Sequence, residues 1–258
     1  IIETAKALQE QTTDTLSLPR STKVNQVIQQ RLGKLSKKAR DILRIAAIAN
    51  PNFNLELAQV ILELHPTALI EANEELEGMG ILKKARFVHD LLYEAVLESI
   101  SQPTRVLLHN RMAEYFETLN ANLGLIANHR FEGGQQGLAV KTWLEAAKYY
   151  QERGLPEASI EMLERVYQHS EDSIIRLEAL SQLALTYYSA GRWSECQKAA
   201  GTLAKVSPDP LIQARAYAAL AVSSTELGNY EAGNRAVNQA MTLLKQIEQE
   251  TDLMELIE

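Results

Sequence analysis

One pattern recurs every 37 residues in AKYYQERGLPEA (147–158), ALTYYSAGRWSEC (184–196) and AVSSTELGNYEAG (221–233). Each segment opens with an alanine and reaches a glycine seven residues later; these glycines are Gly154, Gly191 and Gly228. A fixed period of 20 to 50 residues is typical of stacked repeats. The glycine supplies a left-handed helix stop, and the small residues let two helices approach closely. Each unit is therefore predicted to be a helix, a tight turn and a second helix, and we expect recognition rather than catalysis.

The second half of the chain is predicted to be a tetratricopeptide-like array. Apolar periodicity predicts eight helices, over 104–120, 123–132, 137–153, 155–169, 172–190, 192–206, 209–227 and 229–248. The last six form three pairs, and residues 112–258 are assigned to a right-handed superhelical stack. Pro156 stands where an aromatic residue is usual, so the first pair departs from the pattern. The fold class is mainly all-α.

The first half has the element order of a winged-helix domain, assigned to residues 20–111. Ser36 and Asn54 are predicted helix N-caps, and Pro66 begins a third helix. The β-forming residues 81–88 predict one short hairpin, after which a new helix opens. Residues 1–19 are expected to be a linker from an upstream domain, and the chain is expected to be part of a longer protein.

The third helix of this domain is too acidic to bind DNA. Residues 67–79 contain no Lys or Arg and four acids, Glu71, Glu74, Glu75 and Glu77. Such a helix is repelled by the phosphates that flank a DNA groove. We therefore expect no direct nucleic-acid partner, a packing and switching role for the winged helix, and solvation for Glu74 and Glu75.

Composition limits the function further. The chain has a net charge of −7, and residues 112–258 have 12 basic and 20 acidic side chains. This acidic balance again disfavours binding to nucleic acid. The longest apolar runs are too short to cross a bilayer, and residues 1–10 lack the pattern of a signal peptide. Cys196 is the single cysteine and cannot form an internal disulfide. The sequence predicts a cytoplasmic location and no membrane partner.

Two motifs carry a family resemblance. The first comprises LP at 18–19, VIQQRL at 27–32 and LSKKARDIL at 35–43; the second is FVHDLLYEAV at 87–96. Together with the repeats that follow, they resemble the region after the nucleotide-binding core of bacterial STAND-type signal-transduction ATPases. These include regulators similar to MalT, LuxR-type and AfsR-like transcription activators and ATPase-linked cyclases. The resemblance covers residues 18 to about 250.

The resemblance implies a role in a nucleotide-dependent switch. In that family the winged helix folds over the nucleotide site, and the histidine of the second motif approaches the phosphates of ADP. That role falls on His89, with Asp90 as the cap of the adjoining helix. It also implies an upstream nucleotide-binding domain and ADP or ATP with Mg in the parent protein, most often a transcription regulator. The residues alone favour a simpler interpretation, in which His89 only links the hairpin to the helix through a local hydrogen bond.

The chain itself has no recognisable catalytic motif. The phosphate-binding pattern Gly-x-x-x-x-Gly-Lys-Ser/Thr is missing, and the glycine cluster at 133–137 lacks its Lys and Ser/Thr. The five histidines have no metal-ligand spacing, so no metal or other cofactor is predicted for this fragment. We expect it not to be an enzyme; ATP hydrolysis is what the resemblance implies for its parent protein.

The predicted binding surface is the concave face formed by the first helix of each pair. Alignment on Ala147, Ala184 and Ala221 directs ten residues toward this groove: Lys141, Leu144, Lys148, Gln151, Glu178, Ser181, Tyr188, Arg215, Val222 and Thr225. They suit a protein or small-molecule effector; the alternative is an ordinary solvated face. A second function also remains open, a stand-alone repeat scaffold with no nucleotide role. Leu253, Met254, Leu256 and Ile257 are expected to pack on a further repeat or a neighbouring molecule.

Overall fold

The computed structural model describes residues 22–255, and the side chains of 28–249 within them. The predicted linker 1–19 lies outside these ranges, as do the side chains of Leu253, Met254, Leu256 and Ile257. The described residues form helices and one two-stranded hairpin, which confirms the mainly all-α fold class. Two compact units divide at Ser101 and Gln102. Between residues 22 and 255, every helix is too short or too polar to traverse a lipid bilayer.

From residue 22 onward, the first unit contains five helices and the hairpin. Its elements in chain order are α1 (Thr22–Gly33), α2 (Lys37–Ala49), α3 (Leu55–Leu62), α4 (Pro66–Gly78), β1 (Leu82–Lys83), β2 (Arg86–Phe87) and α5 (Asp90–Ser99). The predicted N-caps are confirmed: Ser36 Oγ accepts from Ala39 N at 3.2 Å, and Asn54 Oδ1 accepts from Leu57 N at 2.7 Å. The assignment of residues 20–111 to a winged-helix domain stays a prediction.

Helix α2 is the centre of this unit. It packs against α3, α4 and α5, and its side chains Ile42 and Ile45 are fully buried. Burying an aliphatic side chain of this size contributes about 1.5–3 kcal/mol relative to its exposure. The stability of the unit therefore depends on the buried apolar face of α2, which packs against three other helices.

Two acids of α4 accept hydrogen bonds from neighbouring segments. Glu75 Oε1 accepts from the Ser36 backbone N–H at 2.7 Å, at the start of α2. Glu77 Oε1 accepts from Lys84 N at 3.0 Å, in the hairpin turn. Glu74 is exposed and Glu75 is half-buried, so Glu75 makes this bond beside its contact with solvent. A carboxylate that accepts a backbone N–H can fix a loop in a way that sequence spacing does not reveal.

The second unit contains eight helices among the described residues. They are α6 (Gln102–Thr118), α7 (Leu123–Glu132), α8 (Gln136–Glu152), α9 (Pro156–His169), α10 (Ser173–Ser189), α11 (Trp193–Val206), α12 (Pro210–Glu226) and α13 (Tyr230–Glu255). Their bounds agree with the predicted helices within two residues, except that α13 continues past the predicted end at 248. Consecutive helices pack on one another from α6 to α13.

The repeated glycines end the first helix of each pair as predicted. Gly154, Gly191 and Gly228 have φ values of +67°, +68° and +80°. The residue after each glycine donates its N–H back to a carbonyl in the preceding helix; for Arg192 the acceptor is Tyr187 O at 2.9 Å. This bond closes a Schellman-type helix end.

A second feature with the 37-residue period, an aspartate cap at the start of a helix, was not recognised from the sequence. Asp172 Oδ1 accepts from Ile174 N at 2.8 Å, and 37 residues later Asp209 Oδ1 accepts from Leu211 N at 2.8 Å. The hydroxyl of the serine two residues earlier, Ser170 or Ser207, accepts from the aspartate N–H at 3.2 Å. A Ser-x-Asp sequence therefore starts each of the first helices α10 and α12.

The core of this unit runs continuously through the stack. Trp143 is fully buried, and its Nε1 donates to Asn128 Oδ1 at 2.8 Å. Trp193 is only half-buried. Leu163, Leu183 and Leu203 belong to the same cluster of buried side chains.

A pair of histidines joins α6 to α7. The Nδ1 atoms of His109 and His129 are 3.0 Å apart, and the His129 ring stacks on Phe116 with centroids 5.4 Å apart. Burial, and then the nearby His109, lower the pKa of His129 to about 4. Burial also lowers the pKa of His109; Glu132 opposes this effect and Arg105 adds to it. Both imidazoles are therefore expected to be neutral at pH 7.

Replacement of Gly191 tests the left-handed turn. An alanine Cβ would meet Trp193 Cζ2 at an ordinary 3.9 Å, so the cost of Gly191→Ala comes from the backbone. An L-residue in this conformation costs about 1–2 kcal/mol, which lowers Tm by about 2–8 °C in a protein of this size. The matched control Gly137→Ala lies inside α8 with open space around it, and should raise Tm slightly. Equal melting temperatures for Gly191→Ala and the wild type would refute the turn.

Acid should destabilise the second unit through the histidine pair. The folded pKa of His129 lies below the value of 6.5 for an unperturbed histidine, so between pH 6.5 and about 4 the unfolded chain binds the extra proton. The stability contributed by the neutral ring is complete above pH 6.5 and is lost as the pH falls through this window, by up to about 1.4 kcal/mol per pH unit. Urea unfolding at pH 7 and pH 5 measures the loss. His129→Gln should reduce the change in unfolding free energy between these pH values, and His65→Gln, at an exposed position, should not. An equal change in both variants would contradict the assignment to His129.

Candidate functional site

The first helices α8, α10 and α12 each expose one row of side chains. Positions three, seven and ten residues apart lie on one face of a helix. The 37-residue repeat places equivalent rows on all three helices. We call these twelve residues the first-helix stripe: Lys141, Leu144, Lys148 and Gln151; Glu178, Ser181, Leu185 and Tyr188; Arg215, Ala218, Val222 and Thr225.

The three rows form one surface. Helix α10 packs directly on α12. Helix α8 reaches α10 through Gln151 Nε2, which donates to Thr186 Oγ1 at 3.0 Å. The stripe therefore spans three neighbouring helices.

The stripe has an apolar part and a charged part. Leu185, Tyr188 and Val222 are 59%, 42% and 37% exposed, although large apolar side chains usually lie inside a protein. The ring of Tyr188 is in edge-to-face contact with Trp193, with centroids 5.7 Å apart, which orients it. The charged stripe residues on α8 are the exposed lysines Lys141 and Lys148. Such a surface can offer apolar contact and cationic hydrogen bonds together.

The candidate groove residues named from the sequence are all on this stripe. Eight of them are exposed: Lys141, Lys148, Gln151, Glu178, Tyr188, Arg215, Val222 and Thr225. Some also bond within the protein, since Glu178 accepts from Gln182 Nε2 at 3.2 Å and Thr225 Oγ1 donates to Ala221 O at 2.9 Å. Their role in binding stays a prediction.

Sequence reasoning missed two residues of the stripe, Leu185 and Ala218, of which Leu185 is the large apolar one. It occupies the repeat position of Lys148 and Val222, and it is the most exposed of the three apolar residues above. The same 37-residue alignment contained the signal, because 148, 185 and 222 are in phase.

The second candidate site, at His89, lies in the first unit. His89 follows β2 with extended backbone (φ −143°, ψ 140°) and is the N-cap residue of α5. Its side chain is exposed and makes no capping hydrogen bond. The structure places His89, rather than Asp90, at the N-cap; Asp90 is the first helical residue, where a carboxylate favours the positive end of the helix dipole. The imidazole is left accessible at a helix N-terminus.

These residues alone do not fit a nucleotide. A nucleotide diphosphate needs several backbone or cationic donors around its phosphates. His89 offers one imidazole, and the glycine-rich phosphate-binding pattern is missing from the sequence. Any phosphate contact at His89 would need a cradle from another domain.

The comparisons with known proteins support the fold. No family model matches the chain, and no curated protein matches it in sequence. Among solved structures, it is similar to a signal transduction ATPase with numerous domains (STAND) that has a tetratricopeptide repeat sensor, from Pyrococcus horikoshii. The identity is 18%, the TM-score is 0.51, and the alignment covers 93% of this chain. This chain spans 35% of that protein.

A second similar structure contains the TPR-like repeats of a kinesin light chain-like protein from Podosopora anserina. The identity is 17% with a TM-score of 0.39, and the alignment covers 75% of this chain and 94% of that one. Since a score this low does not establish a shared fold, the comparison with the STAND protein alone supports the architecture of this chain.

Proposed function

We propose that this chain is the sensor and regulatory segment of a STAND-type ATPase, with a transcription regulator as the parent protein. The first-helix stripe binds a partner protein, and the first unit contacts ADP held by an upstream nucleotide-binding domain. Partner binding then shifts the parent between an ADP-bound resting state and an ATP-bound active state.

The observation that carries this proposal is the extent of the structural similarity. The second unit comprises residues 102–258, so an alignment over 93% of the chain also includes most of the first unit. A helical repeat array on its own would match through the repeats only. The order of a small helical unit with a hairpin followed by helix pairs is the arrangement expected of a STAND sensor region.

The form of the stripe favours a polypeptide partner over a small effector. Each first helix has 17 residues and is therefore about 25 Å long. Small ligands prefer enclosed pockets, whereas the stripe is open and extends over three helices. A partner with apolar side chains for Leu185 and Val222 and an acidic group for Lys141 or Lys148 would complement it.

His89 would couple the first unit to nucleotide. Its imidazole is accessible at the N-cap of α5, where the helix dipole favours an anion. A hydrogen bond to a charged phosphate contributes about 1.5–3 kcal/mol. A partner that binds the active state more tightly than the resting state, in which this contact is made, would shift the equilibrium toward the active state.

Loss of His89 should loosen the ADP-bound state of the full-length protein. Since 1.4 kcal/mol is a factor of ten, His89→Ala should weaken ADP binding by about one to two powers of ten and raise partner-independent ATPase activity. Exposed His65→Ala in the same unit is the control. Unaltered ADP affinity would remove His89 from the mechanism. An upstream sequence without a phosphate-binding loop would leave the repeat scaffold as the function.

Charge on the apolar part of the stripe should block partner recognition without unfolding the array. In the full-length protein, Leu185→Glu combined with Val222→Glu should abolish partner-stimulated ATPase activity while ADP affinity and Tm stay within error, because both side chains are exposed. Leu183→Ala is the contrasting variant: it creates a cavity in the buried core and should cost about 2–5 kcal/mol. Full stimulation of the double variant would show that the stripe is a solvated face.

A further inference from the structure

A cavity of about 340 Å³ lies between the end of α9, the first half of α10 and the end of α11. Tyr167 lines it from α9, Leu180 from α10 and Val206 from α11. Leu180 is buried, whereas Val206 is exposed, so the cavity reaches from the core to solvent. Binding sites for small molecules usually have volumes of about 300–1,000 Å³. The cavity is therefore large enough for a small ligand.

The lining combines apolar side chains with one cation. Its apolar residues are Ile174, Leu177, Leu180, Val206 and Pro208. Among the described residues that line the cavity, Arg176 alone is charged, so the cation has no carboxylate beside it in the lining. Its guanidinium carbon lies 5.6 Å from the centroid of the Tyr167 ring, a cation–π contact that orients it. An arginine in this position can hold a carboxylate through two parallel hydrogen bonds.

The preceding repeat unit fills the equivalent space with aromatic rings. Trp143 is the equivalent of Leu180, 37 residues earlier in the chain, and His169 is the equivalent of Val206. The centroids of the Trp143 and His169 rings are 5.9 Å apart, and the Phe131 ring contacts both, at 5.2 and 4.4 Å. A smaller cavity of about 250 Å³ remains beside His169, but Trp143 does not line it. The ring cluster therefore closes the inner part of the space.

The central unit lacks these rings. Besides the leucine and the valine, it has Gln168 where the preceding unit has Phe131. Gln168 lines an adjoining cavity of about 340 Å³, which shares Tyr167 and Leu180 with the first one. The following unit again has a ring, Tyr217, at the position of Leu180. A position that is aromatic in both neighbouring units is thus a leucine here, and a cavity lies beside it.

Arg176 is a second departure from the repeat at the same place. The equivalent residues in the neighbouring units are Ala139 and Gln213. Gln213 Nε2 donates to Ser207 O at 2.6 Å and so joins α12 to the loop before it. Arg176 instead reaches the Tyr167 ring at the wall of the cavity. Since neither neighbouring unit has a cation at this position, the repeat fold does not require one.

We propose that this cavity is a binding site for a small aromatic carboxylate. The ring of the ligand takes the place that Trp143 occupies in the preceding unit and packs on Leu180, while Arg176 holds its carboxylate. An apolar cavity of matching size can bind an aromatic molecule in place of a missing side chain. Arg176 is about two and a half turns before Leu185, so the two lie on opposite sides of α10. The site is therefore separate from the first-helix stripe, and it does not depend on the nucleotide switch.

Titration of the 258-residue chain with indole-3-propionate, followed by nuclear magnetic resonance, tests the proposal. Binding should saturate at one site with a Kd below about 1 mM, the affinity expected of about 14 non-hydrogen atoms at ordinary efficiency. The methyl signals of Leu180 and Val206 should shift. Neutral indole-3-propionamide should bind about tenfold more weakly, because it lacks the charge that Arg176 recognises. Octanoate, an acid without a ring, should also bind about tenfold more weakly.

Three variants locate the site. Arg176→Gln copies Gln213 of the following unit and should weaken the binding of indole-3-propionate about tenfold. The matched control Arg235→Gln removes the same charge from an exposed position on α13 and should leave the Kd unchanged. Leu180→Trp copies Trp143 of the preceding unit and should abolish binding, because the new ring fills the cavity.

The two arginine variants keep the test decisive if Leu180→Trp does not fold. Both change exposed side chains, so their Tm should be equal. Equal affinities of these two variants, or no saturable binding below about 1 mM, would overturn the proposal. A folded Leu180→Trp variant that binds as tightly as the wild type would also overturn it. An amide or an octanoate that binds as tightly as indole-3-propionate would overturn the assigned class of ligand.

Discussion

The repeat array depends on reversing the chain within a very short turn at the end of each first helix. Gly154, Gly191 and Gly228 do this at positive φ, where a side chain would be strained. The reversal brings the second helix back against the first at small residues such as Ala147 and Ala184, both buried. Because all three turns have the same geometry, the first helices lie side by side. The first-helix stripe is a consequence of this spacing.

Repetition also explains why binding surfaces arise in this fold. A helix in the stack buries the faces that contact its neighbours and leaves one face free, and the same face is free on every equivalent helix. Leu185 and Val222 are exposed because they lie on that free face.

The loops of the first unit are held in a different way, because this unit has no repeated turn. It uses acids of α4 instead, with Glu75 bonded to the start of α2 and Glu77 to the hairpin turn. These bonds hold the segments that precede His89 and leave its imidazole exposed. The acidic character of α4, which disfavours contact with DNA, therefore also has a structural use. A positioned histidine on a rigid support is what a phosphate contact in a larger protein would require.

The sequence by itself determined the features that depend on neighbours along the chain. The helix bounds, the caps at Ser36 and Asn54, the hairpin and the glycine turns follow from local hydrogen bonds and backbone sterics, and the repeat phase placed the candidate stripe. Only the tertiary structure decided which partners Glu75 and Glu77 have, that His109 and His129 meet across α6 and α7, and that His89 rather than Asp90 is the cap. It also decided that α13 continues to Glu255 and that Val237 is exposed on it. These outcomes depend on contacts between residues that are distant in sequence. A local sequence pattern does not predict which of these contacts form.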